Sequence, residues 1–173
     1  IFQYNSGSKN SWFSGVPYST DSDDWIIAHK LETTEFNSDV AQMGNALFCV
    51  NDNGNVGIGT VSPKSLLNVT GGGANGGILT LENDSTSLIA GRYVGQIDFY
   101  SNDASSNGAG VKANITAITE NSIGSEIGLA LGTSGTGSAT AVEAIRINSS
   151  GNVGIGTTAP FTTGGNSKLT VAG

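Results

Sequence analysis

The chain has 173 residues, a net charge of −7 and a single cysteine. Gly, Ser, Thr and Asn together make up 81 residues, and this composition excludes a helical bundle because glycine weakens helix interiors and the three polar residues compete with helical hydrogen bonds. Seven Lys and Arg residues form no basic stripe for nucleic acid, no apolar run approaches the roughly 18 residues of a membrane span, and one cysteine allows no internal disulfide.

The elements expected along the chain are short strands, because apolar residues alternate with polar or small ones and Gly, Asn, Ser and Asp clusters separate the runs. The alternation predicts an all-β fold. The predicted strands, in chain order, lie at 12–13, 25–28, 48–51, 56–60, 67–71, 78–81, 96–100, 111–117, 127–132, 145–147, 153–157 and 169–171.

A seven-residue segment, GNVGIGT, occurs twice, at 54–60 and at 151–157. Its surroundings recur as well, since Pro63 and Pro160 follow at equal distances and similar strands close each copy. A repeat of this kind predicts two copies of one structural unit. We therefore expect a first module at 1–70, a Gly-rich hinge at 71–77 and a second module at 78–173. Because the sequence starts at Ile1, without an initiating methionine or a leader segment, we also expect it to be a piece of a longer protein.

In each copy of the repeat the branched residues occupy one face of a strand and glycine occupies the other. Glycine inside a strand weakens it and usually marks close approach of another backbone. Four branched side chains buried between chains would each contribute about 1.5–3 kcal/mol. The sequence therefore predicts an intertwined homo-oligomer with inter-chain layers of Val56, Ile58, Val153 and Ile155, and with close chain approach at Gly57, Gly59, Gly154 and Gly156.

The frame at 146–157, with Pro160 and the closing strand at 169–171, resembles the repeats of bacteriophage tail fibres and related virion adhesins. The stretch at 91–103 is similar to a strand common upstream of that frame, and the stretches at 12–16 and 25–28 resemble the opening strands of the same family. The resemblance covers nearly all of the chain.

The resemblance implies elongated, parallel homotrimers of β-rich modules that act as a structural, non-catalytic part of host attachment. It implies an extracellular location on the virion. The expected partners are further copies of the chain, other virion tail or fibre proteins and host surface polysaccharide, without nucleic acid or membrane insertion. Many such fibres continue into a self-cleaving C-terminal chaperone domain, which would follow Gly173.

Several short motifs match chemical signatures without the context that the chemistry needs. The glycines at 71–76 match G-x-G-x-x-G, but a strand is expected next and not the helix that a dinucleotide requires. The acidic run at 21–24 lacks the glycine and the bidentate acid of a calcium loop. The match to Ser-x-x-Lys at 6–9 is common in a Ser-rich chain, and His29 and Cys49 are expected at packing or surface positions. We therefore expect no enzyme, no cofactor and no metal.

Three alternative functions stay open on the sequence. The first is a receptor-binding tip, whose exposed aromatic residues would stack on host glycans; the candidates are Trp12, Phe13, Tyr18 and Trp25. The second is a capsule-degrading spike enzyme with a carboxylate pair drawn from Asp98, Asp103, Glu120 and Glu126. The third is a cellular surface adhesin or filament built from the same repeat.

Overall fold

The computed structural model describes residues 2–5, 10–17, 23–31, 42–104, 108–135, 138–160 and 169–172. The described chain is mostly β, which confirms the predicted all-β class; its helical parts are a short turn at 42–43 and a 3₁₀ turn at Gly73–Asn75. The strands within these ranges are β1 (Phe2–Asn5), β2 (Asn10–Gly15), β3 (Trp25–Leu31), β4 (Ala46–Val50), β5 (Val56–Ile58), β6 (Leu67–Val69), β7 (Tyr93–Ser101), β8 (Gly110–Thr119), β9 (Ile127–Thr133), β10 (Val142–Ile147), β11 (Val153–Ile155) and β12 (Leu169–Val171).

The chain divides into two compact units, residues 1–79 and 80–173. Each unit contains one six-stranded sheet in which strands that follow each other in the sequence are neighbours, β1 to β6 in the first and β7 to β12 in the second. All neighbouring pairs are antiparallel except the last pair of each sheet, β5 with β6 and β11 with β12, which is parallel.

The sequence repeat corresponds to a repeat of strand pairing. In the first unit β4 pairs with β5 so that Phe48 lies opposite Ile58, and in the second unit β10 pairs with β11 so that Ile145 lies opposite Ile155. These registers are related by the same offset as the two GNVGIGT segments. The strands β3–β6 and β9–β12 therefore follow the same path.

Several sequence predictions about strand extent are wrong. The strands predicted at 67–71 and 153–157 end at Val69 and Ile155. The predicted strand at 78–81 is absent, although residues 70–92 are all described, because alternation does not supply a neighbouring strand and none of the described strands pairs with this stretch. The strand predicted at 56–60 ends at Ile58, because Gly59 has a φ of +73° and turns the chain out of the sheet.

The first unit has a small apolar core on one face of its sheet. Phe13, Ile26, Ala28 and Cys49 are buried together, and Met43, Ala46 and Val61 pack against them. Ile26 and Cys49 lie directly opposite each other on β3 and β4, so the core is built from one set of alternating positions.

The second unit buries the small residues of its sheet and leaves the large ones exposed. Along β9, Gly128, Ala130 and Gly132 are buried, whereas Ile127, Leu129 and Leu131 are 39%, 41% and 37% exposed. The residues buried on the small-residue side of the neighbouring strands are polar or charged, among them Thr116 and Arg146. The described part of the second unit therefore lacks an apolar core comparable to that of the first.

Candidate functional site

The turn that leads into the first GNVGIGT segment is organised by one asparagine side chain. The Asn51 Oδ1 atom accepts hydrogen bonds from the backbone N–H groups of Asn53 at 3.1 Å and Asn55 at 2.9 Å. The backbone N–H of Gly54 donates to the Asn51 carbonyl at 2.9 Å, and Gly54 has a φ of +77°. An Asx side chain that satisfies the backbone two and four residues later stabilises a tight turn without regular structure.

The second copy repeats this turn with the same geometry. The Asn148 Oδ1 atom accepts the N–H groups of Ser150 at 3.1 Å and Asn152 at 2.9 Å. Gly151 again has a φ of +77°. Asn51 and Asn148 occupy the same place before each GNVGIGT segment, and this repeated placement is the sequence signal that could have predicted the turns.

Each predicted glycine of close approach has a steric or conformational requirement within its own chain. A Cβ atom at Gly57 would lie 2.2 Å from the Thr60 carbonyl oxygen, and one at Gly154 would lie 2.8 Å from that of Thr157. The later glycines of the two motifs have φ values of +73° at residue 59 and +72° at residue 156, which favour glycine. The predicted approach of a second chain at these glycines stays a prediction.

The predicted inter-chain residues lie on the face opposite these glycine contacts. Val56 and Val153 are half-buried, and Ile58 and Ile155 are 44% and 41% exposed. Their role between chains stays a prediction, and their exposure leaves apolar surface available for it.

The first unit presents further apolar side chains next to its motif residues. Trp25, Val50 and Val56 lie opposite one another on β3, β4 and β5 and therefore share a face. Trp25 also makes an edge contact with Phe48, with ring centroids 6.0 Å apart. The exposed face of the first unit is therefore aromatic as well as aliphatic.

A buried ionic cluster lies on the small-residue side of the second sheet. The Arg146 Nε atom donates to Glu143 Oε1 at 2.8 Å, and its Nη2 atom also pairs with Glu143. Its Nη1 atom donates to Glu120 Oε1 at 3.2 Å, and the Ser149 backbone N–H donates to Glu120 Oε2 at 2.8 Å. Arg146 is only 7% exposed, so these carboxylates neutralise a buried cation.

The cluster shifts the acid–base properties of its members. The hydrogen bonding that Arg146 donates to the Glu143 carboxylate is the largest influence on Arg146 and holds the pKa of the guanidinium above its ordinary value. Burial alone would raise the pKa of Glu120, but the hydrogen bonds from Ser149 and Arg146 outweigh burial and lower that pKa. The cluster is a structural ion network in which the pKa shifts of Arg146 and Glu120 both favour the charged form.

Cys49 occupies the position of Arg146 in the first repeat and is fully buried. Burial is the largest cause that raises the pKa of its thiol, followed by the charge of Asp24. A buried thiol with a raised pKa is a poor nucleophile. One position of the repeat therefore carries an apolar packing residue in the first unit and a charged one in the second.

The other sequence candidates are dispersed. Asp98 accepts a hydrogen bond from Gln96 at 2.6 Å, and Glu120 joins Arg146 as described. His29 stacks on Trp12 with ring centroids 4.5 Å apart. The glycine stretch at 71–76 contains the three-residue 3₁₀ turn. The acidic run at 21–24 is described only from residue 23. The Ser-x-x-Lys match at 6–9 and Tyr18 lie outside the described residues.

Among the described residues, no group of three or more His, Cys, Asp or Glu side chains is placed to hold a metal ion. Within the same part of the chain, no helix has the length and apolar character needed to cross a membrane. No family model and no curated protein matches this chain. The resemblance to fibre repeats therefore rests on the residues quoted for it.

Gly57, in the first GNVGIGT segment, provides a prediction about stability. We expect Gly57→Ala to lower the free energy of unfolding by about 1–3 kcal/mol, because the added Cβ would overlap the Thr60 carbonyl. Gly72→Ala is the matched control in the same unit, since Gly72 has a φ of −95° and no atom within 4 Å of a Cβ there. Denaturant unfolding at one protein concentration measures both. Equal losses in the two variants would contradict the steric explanation.

The ionic cluster provides a prediction about pH. Because the folded state lowers the pKa of Glu120, its charge stabilises the fold above its unfolded pKa, and this stabilisation is lost as pH falls through the lowered folded value. We expect Glu120→Gln to cost about 1–3 kcal/mol at neutral pH, because it removes a charged hydrogen-bond acceptor, and to cost progressively less in acid.

Glu126→Gln serves as the control for that titration, because Glu126 is exposed. Thermal unfolding from pH 7 downward compares the two variants with the wild-type chain. A Glu120→Gln effect that stayed constant into strong acid would show that the carboxylate charge is not the stabilising element.

Proposed function

We propose that this chain is a structural, non-catalytic segment of a bacteriophage tail fibre, used in host attachment and assembled as an elongated, intertwined homotrimer. Its partners in this proposal are two further copies of itself, other virion tail or fibre proteins and host surface polysaccharide. Its place is the extracellular part of the virion.

The observation that carries the proposal is the tandem repetition of one strand path with its apolar residues on an exposed face. Both copies leave the isoleucine of the motif more than 40% exposed. Repeated units extend a structure along one direction, and each unit here has apolar surface that neighbouring chains can cover. This combination suits a shaft built from several copies of the same chain.

The position of the exposed aromatic residues favours a shaft over a sugar-binding tip. Trp25 lies in one row with Val56. Trp12 contacts the ring of His29, and His29 lies on the same face of β3 as Ile27 and Trp25. In the proposed trimer this face meets other chains. Its tryptophans then contribute to assembly and are not free to stack on glycans.

The native mass of the purified chain tests the proposal. We expect three times the mass of one chain, persisting on dilution, by light scattering or native mass spectrometry. We expect Ile155→Asp to abolish the oligomer, because a carboxylate buried between chains without a partner is strongly unfavourable. The control is Ile123→Asp, since Ile123 is 77% exposed in the turn between β8 and β9. A stable, folded wild-type monomer would contradict the proposal.

A further inference from the structure

The second sheet carries a surface of large apolar residues that its own chain leaves mostly uncovered. At its β7 edge the chain's own Leu81 lies against Gly95, which is paired with Ala117. Residues directly opposite each other on neighbouring strands point to the same face, so the register defines the members. One row crosses all six strands through Ile97, Ile115, Leu131, Ile145, Ile155 and Val171. A second row contains Ala117, Leu129, Ile147, Val153 and Leu169. We call these rows, with Phe99 and Val142 beside them, the apolar face.

The apolar face is too large to be an ordinary feature of an isolated chain. Most of its large members are exposed, from 37% at Ile115 and Leu131 to 65% at Val142, whereas Ile145 and Val153 are half-buried. Together they leave on the order of 1,000 Å² of surface uncovered, against a few hundred for the apolar patches of typical soluble monomers. One partner in a stable protein complex contributes about 800 Å², so the face is large enough for a permanent interface.

The charged residues of these strands all lie on the other side of the sheet. They are Asp98, Lys112, Glu143 and Arg146, and each alternates with members of the apolar face. The occupant of the face therefore needs to be apolar and uncharged over a similar area. Further copies of this chain meet that requirement. In the proposed homotrimer the three apolar faces would turn toward a common axis without opposing charges, even though each chain carries a net charge of −7.

We propose that the apolar face of the second unit is the self-association surface of the chain, and that it extends across all six strands to β7 and β8. This inference rests on the proposed homotrimer and identifies the residues that form its interface. It adds Ile97, Ile115, Leu129 and Leu131, which lie outside the repeated motif. In this inference the side of β11 that carries Ile155 contacts other chains. The side that carries Gly154 contacts residues of its own chain.

The direction of packing on the glycine side supports this assignment. A Cβ atom at Gly128 would lie 2.2 Å from Glu120 Oε1, and one at Gly132 would lie 2.4 Å from Asn114 Oδ1. The small-residue side of β9 is thus filled by polar side chains of the same chain. The large-residue side is the one that remains for another copy.

Substitution far from the motif tests the extent of the surface. We expect Ile97→Asp, on the edge strand β7, to weaken self-association at least tenfold, as judged by native mass over a dilution series. Ile123→Asp is the matched control, because it introduces the same charge at an exposed isoleucine away from the apolar face. If the Ile97→Asp variant formed an oligomer as stable as that of the control, the inference would be overturned.

Thiol protection gives a second readout that does not depend on a disruptive charge. In the Leu131→Cys variant of the oligomer we expect labelling by a maleimide dye to be at least tenfold slower than in the Ile123→Cys variant. Both should label equally after denaturation. The native Cys49 is fully buried and provides the unlabelled background. Equal labelling of the two folded variants would overturn the inference.

The outcomes separate this inference from the proposed function. A wild-type monomer contradicts the homotrimer and the self-association surface together. A wild-type trimer that dissociates with Ile155→Asp but keeps Ile97→Asp intact and Leu131→Cys freely labelled retains the fibre proposal and overturns the wider surface. A trimer in which both positions behave as buried supports both.

Discussion

The inward placement of small residues is the constraint on which the second unit depends. With Gly128, Ala130 and Gly132 on the covered side of β9, the sheet has room for the side chains of Glu120, Asn114 and Arg146. The large residues of the same strand are thereby directed outward, since successive side chains alternate. The polar interior and the apolar exterior of this unit are two consequences of one sequence pattern.

The two repeats show that the backbone of the motif tolerates different chemistry at its covered side. Cys49 lies opposite Gly57 and Arg146 lies opposite Gly154, in equivalent registers. The first pairing belongs to an apolar cluster and the second to an ion network. A buried ion network contributes little net stability compared with apolar packing, but its hydrogen bonds require a defined geometry. The Asn-organised turn and the left-handed glycines are common to both units and are what the repeated sequence preserves.

Much of the fold could be predicted from the sequence because strand alternation and turn residues are local signals. The all-β class and the equivalence of the two GNVGIGT segments follow from such signals. The stretch at 78–81 has a strand-like sequence but forms no strand in the structure. A strand needs a neighbouring strand to pair with, and the local sequence does not specify that neighbour. The Arg146–Glu120 pair joins residues 26 positions apart and could not be recognised before the register of β8, β9 and β10 was known. Alternation also does not show which side of a strand is covered. The burial of the glycines and the exposure of the leucines on β9 therefore could not be predicted from the sequence.

Association and folding are expected to be coupled in this chain because the described core is small relative to the uncovered apolar surface. The largest buried cluster of the first unit has four hydrophobic residues, and in the described part of the second unit the buried apolar side chains are Ala130 and Pro160. Ordering a chain of this length costs on the order of 1–2 kcal/mol per residue, and so few buried groups offset little of that cost. In the proposed homotrimer, further copies that cover the apolar face would supply the missing burial. The stability of such an assembly depends on protomer concentration, unlike that of a self-sufficient domain. In the proposed fibre, permanently associated chains would keep that local concentration high, which would make a lean, glycine-rich sequence compatible with a stable shaft.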